Sequence, residues 1–227
     1  MGQKSNKIKI DTLIISDIHL GDNDARCQEV VDLLNKYEFK KLILNGDIVD
    51  GLNFQRFHSE HWDVLSYLRG LSKKCDVIWI HGNHDATAKI LSRLLGIKVY
   101  NKYVWEQNDK KYLAIHGHQF DRFMNNNFII SYLAFAFYKF LKRIDKTEVL
   151  VNFIKRRETW QRNSAGVARG AIKFGKVLGV NYVFCGHTHQ INEVEKWGIK
   201  YFNTGSWVEK PSGYVTIIGD KIDLSAI

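Results

Sequence analysis

Residues 13–19 of the chain read LIISDIH, a short apolar run that ends directly in polar residues. A continuous apolar run of this length is typical of a strand that is buried on both faces, as in a parallel sheet covered on both sides. Asp17 and His19 follow the run at once. The segment therefore predicts a buried strand whose end delivers a carboxylate and an imidazole.

The same arrangement occurs four more times along the chain, and each further apolar run is followed by aspartate, asparagine or histidine. Apolar residues at helical spacing lie between several of the runs, at Cys27–Tyr37, Trp62–Leu68 and Ile90–Leu95. This alternation predicts an α/β layered fold. Two last apolar segments, Lys200–Asn203 and Tyr214–Ile218, predict a terminal β element. The four further runs are Lys41–Leu44, Val77–Ile80, Tyr112–Ile115 and Tyr182–Cys185.

The composition indicates a folded chain with a basic surface. Of its 227 residues, 45% are hydrophobic and 13% aromatic, which supplies a core and excludes general disorder. Lysine and arginine number 33 against 24 aspartates and glutamates, for a formal net charge of +9. This excess favours an anionic partner, which includes phosphorylated metabolites, nucleic acid and acidic membrane surfaces.

The cysteines and the N-terminal residues indicate in which cellular compartment the protein works. Cys27, Cys75 and Cys185 are too widely spaced for a zinc motif or a disulfide framework. We therefore expect three buried or half-buried thiols in a reducing compartment. Residues 1–10 are polar and contain lysines, and they lack the apolar segment of a secretory signal. These features predict a cytoplasmic protein.

The five strand ends predict a metal site. In open α/β sheets, ligands bind beyond the carboxyl ends of the strands. Carboxylate, amide and imidazole ligands suit divalent manganese, iron or zinc. Two ions about 3.5–4 Å apart can clamp a phosphate and activate a water between them. Such a pair needs a bridging carboxylate, for which Asp47 is the candidate. One histidine alone is more often structural than a ligand, but five strand ends in order indicate a two-metal phosphoesterase.

These motifs resemble those of the calcineurin-like metallophosphoesterase superfamily. The matching segments are residues 17–19, 46–50, 82–85, 116–118 and 186–189. The resemblance implies one domain over residues 1–227, built as a four-layer α/β/β/α sandwich of two mixed sheets flanked by helices. It implies that Asp17, His19, Asp47 and His189 hold one metal ion, and that Asp47, Asn83, His116 and His187 hold the other.

The resemblance also implies a catalytic role for His84, which would contact phosphate and protonate the leaving group. The acidic partner of this histidine is open at the sequence level, with Asp50 as the candidate. Asp85 occupies the matching position next to His84. The activity implied is hydrolysis by metal-activated water, without a covalent enzyme intermediate.

Within the superfamily, the chain is most similar to the UDP-2,3-diacylglucosamine pyrophosphatase group of lipid A synthesis. The likeness rests on size, on residues 116–121, and on a helical insertion predicted at residues 122–170. It implies manganese, a lipid-linked substrate and peripheral contact with the inner membrane. Asp121, Lys173 and Lys176 are the candidate substrate-binding residues, although the two lysines also fit plain solvent exposure. His84 departs from that group, which typically has arginine at this position.

The predicted insertion contains an apolar run at Phe128–Tyr138 that is too short to span a bilayer. It fits either a buried core helix or a lid that meets a lipid-like substrate or membrane. Three other functions stay open. The site could serve a nuclease, cyclic-nucleotide phosphodiesterase or general phosphatase. The chain could be a non-catalytic scaffold on this fold, or a module that binds a partner through a basic patch.

Overall fold

A computed structural model of the chain describes residues 7–51, 53–121 and 158–227. Its first sheet has six strands. The strands β1 (Ile8–Ile15), β2 (Tyr37–Asn45), β3 (Asp76–Ile80) and β4 (Val99–Tyr100) run parallel to one another. The antiparallel strands β10 (Gly213–Ile218) and β11 (Lys221–Ala226) complete the sheet beside β1, in the order β11-β10-β1-β2-β3-β4.

The second sheet has five strands and is also mixed. Its parallel centre consists of β6 (Lys110–Ala114), β7 (Tyr182–Cys185) and β9 (Ile199–Thr204). The antiparallel edge strands are β5 (Tyr103–Gln107) and β8 (Ile191–Lys196), and the order is β5-β6-β7-β9-β8.

Helices cover the outer face of each sheet. The helices α1 (Cys27–Lys36), α2 (Ser59–Leu71) and α3 (Ala88–Leu95) pack on the first sheet through one apolar cluster. Helix α4 (Glu158–Leu178) packs on the second sheet through another. A third cluster lies between the sheets and joins Ile14 and Ile43 of the first to Tyr112 and Phe184 of the second. These clusters define the predicted α/β/β/α sandwich of two mixed sheets.

Strand β1 shows why the last residues of the central strands are apolar without interruption. Leu13 and Ile15 belong to the cluster under the helices, whereas Ile14 belongs to the cluster between the sheets. Successive side chains of a strand point to opposite faces. Because both faces of the sheet are covered at this end of the strand, each of these three positions is apolar.

The predicted apolar runs all lie in strands or at their ends, but two apolar helix residues are placed differently. Trp62 and Ile90 are partly exposed on the outer sides of α2 and α3, while Val64 and Leu91 are buried. Trp62 packs instead on Phe57, with ring centroids 5.1 Å apart. An apolar residue near the edge of a helical stripe can lie outside the buried face, which the spacing alone does not resolve.

The predicted insertion is described only at its end. The apolar run at residues 128–138 lies outside the described residues, and the proposed boundary at residue 170 falls within α4. No helix in the described part of the chain is both long and apolar enough to cross a membrane. Cys27 and Cys185 are buried free thiols, and Cys75 is half-buried.

Candidate metal centre

The five predicted ligand-bearing segments meet at one edge of the sandwich. Three follow β1, β2 and β3 of the first sheet, and two follow β6 and β7 of the second. Hydrogen bonds tie the segments together across the sheets, including Asn45 Nδ2 to the Phe184 carbonyl at 3.1 Å and the His187 amide to Asp17 Oδ2 at 3.0 Å. The site is therefore built from both halves of the fold.

One cluster of candidate ligands contains Asp17, His19 and His189, whose ligand atoms lie within 4.8 Å of one another. The Nε2 atoms of the two histidines are 3.1 Å apart, and His189 Nε2 is 3.4 Å from Asp17 Oδ1. Zinc–nitrogen bonds are about 2.0–2.1 Å long, so two nitrogens that share one ion stand about 3 Å apart. The spacing of the two imidazoles fits a common ion.

A second cluster contains Asp47, His116 and His187. Asp47 Oδ2 is 3.1 Å from His116 Nε2 and 4.0 Å from His19 Nε2 of the first cluster. Asp47 therefore lies between the two clusters, where the sequence predicted a bridging carboxylate.

A buried atom beside this second cluster lacks the hydrogen bond that buried polar atoms normally make. Asn83 Oδ1 is shielded from solvent and has no hydrogen-bond partner within the described ranges. A buried acceptor without a partner costs about 1–3 kcal/mol. A bound cation would satisfy this oxygen, so the donor set fits divalent metal.

The backbone at the candidate ligands is unusual. Asp17, His19, Asp47, His187 and His189 all have positive φ values, between 53° and 69°. Non-glycine residues rarely adopt this left-handed conformation, and it concentrates at functional sites. These five residues are also five of the seven metal ligands predicted from the sequence. The turn after each strand thus directs the side chain back toward the shared edge.

Two glycines allow the chain to approach the carboxylates closely. A Cβ atom at Gly82 would collide with Asp47 Oδ1, and one at Gly186 would collide with Asp17 Oδ2. Any side chain at either position would push a candidate ligand away. Glycine is therefore required next to these ligands for steric reasons.

Asp85 holds the loop that carries Asp47. Its carboxylate accepts hydrogen bonds from the amides of Asp47, Ile48 and Val49 at 2.9–3.1 Å. It also accepts one from Trp79 Nε1 at 3.0 Å and one from the Gly82 amide at 2.9 Å. Five donors around one carboxylate leave it no position on a metal ion, so Asp85 orients the bridging residue from behind.

His84 has a carboxylate partner, as the sequence motif led us to expect. Its Nδ1 lies 2.9 Å from Asp50 Oδ1. Asp50 Oδ2 in turn lies 2.8 Å from Arg56 Nη2. Arg56 was missed in the sequence, because it lies in a three-residue 3-10 helix (Phe54–Arg56) after β2 and belongs to no recognised motif. It brings a positive charge to the edge of the candidate site.

Asp121 lies against a candidate metal ligand. Its Oδ2 atom is 3.0 Å from His187 Nε2 and accepts a hydrogen bond from Asn163 Nδ2 at 2.9 Å. Asp121 is buried, with 3% exposure. The described contacts favour a role in orienting His187, so its predicted role in substrate binding receives no support from them. Because Nε2 of His187 faces Asp121, Nδ1 is the ring nitrogen left to face an ion.

The structure does not bring the two candidate phosphate-binding lysines to the metal ligands. Lys176 Nζ lies over the ring of Trp197, at 5.2 Å from its centroid, and Lys173 is exposed. The site end of α4 is marked by Ser164, whose hydroxyl donates to Thr188 Oγ1. Lys176 is twelve residues further along the helix, about 18 Å at 1.5 Å per residue. A direct contact of these lysines with a phosphate at the metal centre stays an unsupported prediction.

The charges in the site influence one another strongly. Burial alone would lower the pKa of His116, but Asp47 and Asp17 raise it to about 10. Burial also acts against ionisation of Asp47, yet His116 and the other nearby histidines hold its pKa well below the usual value. Burial, together with His116 and His187, lowers the pKa of His118 to about 4. The two carboxylates thus draw positive charge into the cluster, in the form of a proton when no metal is bound.

Comparisons with known proteins agree with this geometry. Residues 10–191 match the sequence model of a family described as calcineurin-like phosphoesterase. No curated protein matches the chain. Among solved structures, a phosphoesterase from E. coli, Yfce, has a TM-score of 0.56 at 17% identity and covers 95% of this chain and 96% of its own.

Two further solved structures share the fold. An archaeal phosphodiesterase has a TM-score of 0.53 at 15% identity, with 95% of this chain and 99% of the other covered. Vacuolar Protein Sorting 29 from Cryptosporidium parvum has a TM-score of 0.53 at 13% identity, with 96% and 97% covered. Because esterases and a sorting protein share this architecture, the fold alone does not decide the activity.

Proposed function

The chain belongs to the calcineurin-like phosphoesterase family, and on that premise we propose that it is a dinuclear metal-dependent hydrolase of phosphate ester or anhydride bonds. One observation carries the proposal. The six predicted ligands that are aspartate or histidine form two adjacent clusters, and Asp47 of the second cluster also lies within 4.0 Å of His19 in the first.

The two ion positions follow from the clusters. Asp17, His19, Asp47 and His189 would hold one ion, and Asp47, Asn83, His116 and His187 would hold the other. Manganese is the proposed metal, and the mixed oxygen and imidazole set also suits iron or zinc. When bound, such a pair lowers the pKa of a coordinated water toward neutrality and polarises phosphate oxygens.

The protein's own groups would complete the reaction. The Asp50 carboxylate accepts the Nδ1 hydrogen of His84, which leaves Nε2 of that ring to face the substrate. His84 would hold a proton there and donate it to the departing oxygen. Arg56 keeps a positive charge beside this pair, with its guanidinium partly exposed.

The substrate is proposed as an anionic phosphorylated small molecule. The net charge of +9 supports an anion but does not select a class. The similarity of residues 116–121 to the diacylglucosamine pyrophosphatase group supports UDP-2,3-diacylglucosamine or a similar amphiphilic nucleotide-sugar. On this proposal a lid within residues 122–170 would receive the acyl chains, and the protein would work at the inner membrane surface.

A phosphodiester is the second candidate substrate, and the shared fold with an archaeal phosphodiesterase favours testing it. The decisive experiment compares both classes under defined manganese. Its panel contains UDP-2,3-diacylglucosamine, a simple UDP-sugar, bis(p-nitrophenyl) phosphate and p-nitrophenyl phosphate. Hydrolysis of at least one compound that disappears with EDTA and returns with manganese supports the proposal.

The scaffold alternative makes a different prediction for the same panel. If the purified chain binds two equivalents of manganese and hydrolyses none of the compounds, the proposed function is wrong. Preference for the acylated nucleotide-sugar over its chainless form would support the lipid-linked substrate. Equal rates on the two would remove the reason for a lid that holds acyl chains.

A further inference from the structure

A groove adjoins the metal centre and has no role in the reaction as described so far. Its volume is about 660 Å³, and its walls come from the first turns of α4, the segment after β7 and the segment after β9. His189, a candidate ligand of the first ion, forms part of the wall. Small-molecule sites usually measure about 300–1,000 Å³. The groove is therefore large enough for the rest of a substrate whose phosphate lies at the metals.

Three side-chain amides define the chemistry of this groove. Gln161 lies on α4, Gln190 on the segment after β7, and Asn192 in strand β8. Within residues 7–51, 53–121 and 158–227, none of these three amide groups has a hydrogen-bond partner in the protein. Each amide can donate and accept hydrogen bonds. They present matched donors and acceptors beside the place where the phosphate would be held.

The charges of the described lining argue against a second phosphate in the groove. It contains one carboxylate, Glu209, which is 7% exposed, and one exposed lysine, Lys210. A polyphosphate or nucleic-acid backbone is bound through several cations. A single lysine beside a carboxylate does not provide them, so the occupant that fits this lining is uncharged.

Apolar and polar groups share the described lining. Ala165, Ile191 and Pro211 can pack against a ring, but they are interleaved with amides and hydroxyls. An acyl chain would have to bury those polar groups without partners, which is unfavourable. A ring that carries hydroxyls or amide-like edges would satisfy them.

We propose that this groove binds a neutral, hydrogen-bonding ring of the substrate, a sugar or a nucleoside, that is joined to the phosphate at the metal centre. The assignment rests on the proposed function. Gln161, Gln190 and Asn192 are the residues that select the ring. Acyl chains, where the substrate has them, bind elsewhere.

The test uses diesters that share one leaving group and differ only in the group that the groove would receive. Each of the four substrates is a phosphodiester with p-nitrophenol as the leaving group, and the second alcohol is methanol, octanol, glucose (through its 6-hydroxyl) or thymidine (through its 5′-hydroxyl). All four are compared in the presence of manganese. We expect kcat/KM for the glucose or the thymidine diester to exceed that for the methyl diester by about tenfold or more, the effect of one or two good hydrogen bonds. The diester with the larger increase in kcat/KM, glucose or thymidine, identifies the ring as a sugar or a nucleoside.

Variants connect that gain to the groove. Gln190→Leu and Asn192→Leu should each reduce the gain by about fivefold or more and leave the methyl diester within about twofold of the unchanged protein. Gln28→Leu, on the exposed side of α1, is the matched control and should change neither rate. Melting curves check that every variant is folded.

Two results would overturn the assignment. One is a preference for the octyl diester, and the other is a ring-dependent gain that survives in both groove variants. If none of the four diesters is hydrolysed by the folded, metal-loaded protein, it is the proposed function that fails. The groove is then judged by calorimetry with glucose 6-phosphate and thymidine 5′-phosphate. Binding of either one that is lost in Asn192→Leu supports the groove, and no binding of either one rejects it.

Discussion

The Nδ1 atom of His84 lies 2.9 Å from Asp50 Oδ1, and this contact fixes the orientation of the imidazole at the metal centre. His84 belongs to neither of the two clusters that meet at Asp47; it forms a third group of possible ligands with His19 and Asp50, but its Nδ1 is engaged by the Asp50 carboxylate. We therefore expect His84→Asn to retain its metal and to lose turnover by about 10²–10⁴-fold on substrates with alkyl leaving groups. Nitrophenyl esters should be affected less, because their leaving group needs no proton.

The neighbouring substitution Asp50→Asn separates orientation from proton donation. It should also retain metal, and it should reduce turnover on the same alkyl esters by a smaller factor than His84→Asn. Elemental analysis and steady-state kinetics on both ester classes provide the measurement. Stoichiometric loss of metal in His84→Asn, or an equal loss of rate on both classes, would contradict the role given to His84.

Asp47 should be the residue on which both metal ions depend. It lies 3.1 Å from His116 of one cluster and 4.0 Å from His19 of the other. Asp47→Ala is expected to lose both ions after dialysis, and Asp24→Ala, at an exposed position, to keep both. Elemental analysis of the two purified variants decides. Retention of two equivalents by Asp47→Ala would rule out a bridging carboxylate.

Asp121 should set the affinity for metal at His187. Carboxylates that hold the second nitrogen of a ligating histidine typically change metal affinity by about 10–100-fold when replaced. We expect a loss of this size for Asp121→Asn, and a smaller loss for Asn163→Ala, whose amide supports Asp121. Competition with a chromogenic chelator measures it. Unchanged metal affinity with a raised KM would instead restore Asp121 as a substrate-binding residue.

Gly82 should tolerate no side chain, for a reason that is local. Its Cβ would collide with the Asp47 carboxylate, so Gly82→Ala is expected to bind metal poorly while remaining folded. Gly70 is the matched control, since a Cβ there has no atom within 4 Å. In helix α2, Gly70→Ala should stabilise the chain by about 0.5–1 kcal/mol. Melting curves and metal titration of both variants test the contrast, and full metal binding by Gly82→Ala would refute it.

Much of the centre was predictable because the carboxyl ends of parallel strands share one edge of a sheet. The apolar runs in the sequence located β1, β2, β3, β6 and β7. The candidate metal ligands, Asn83 among them, all follow directly after these five strands. Edge strands were missed for the opposite reason. The strand β8, for example, contains two glutamates and a lysine and has no apolar run, because one face of it is exposed.

The supporting contacts could not be read from the sequence, because they join residues that no motif or regular spacing relates. Arg56 meets Asp50 from a three-residue 3-10 helix, and Asp121 meets Asn163, which lies 42 residues further along the chain. The five hydrogen bonds that the Asp85 carboxylate accepts depend on how separate backbone segments fold around it. Spacing predicts which residues lie at an edge, and the three-dimensional arrangement decides which of them support the others.

The left-handed backbone conformation at five candidate ligands implies a conflict between thermal stability and activity. A left-handed conformation costs a non-glycine residue about 1–2 kcal/mol, and this chain adopts it at Asp17, His19, Asp47, His187 and His189. Selection for thermal resistance alone would replace the histidines among them with glycine or asparagine. Such variants should melt at higher temperature without metal and would have lost the centre, so the strained backbone conformation is tied to the metal ligands that it carries.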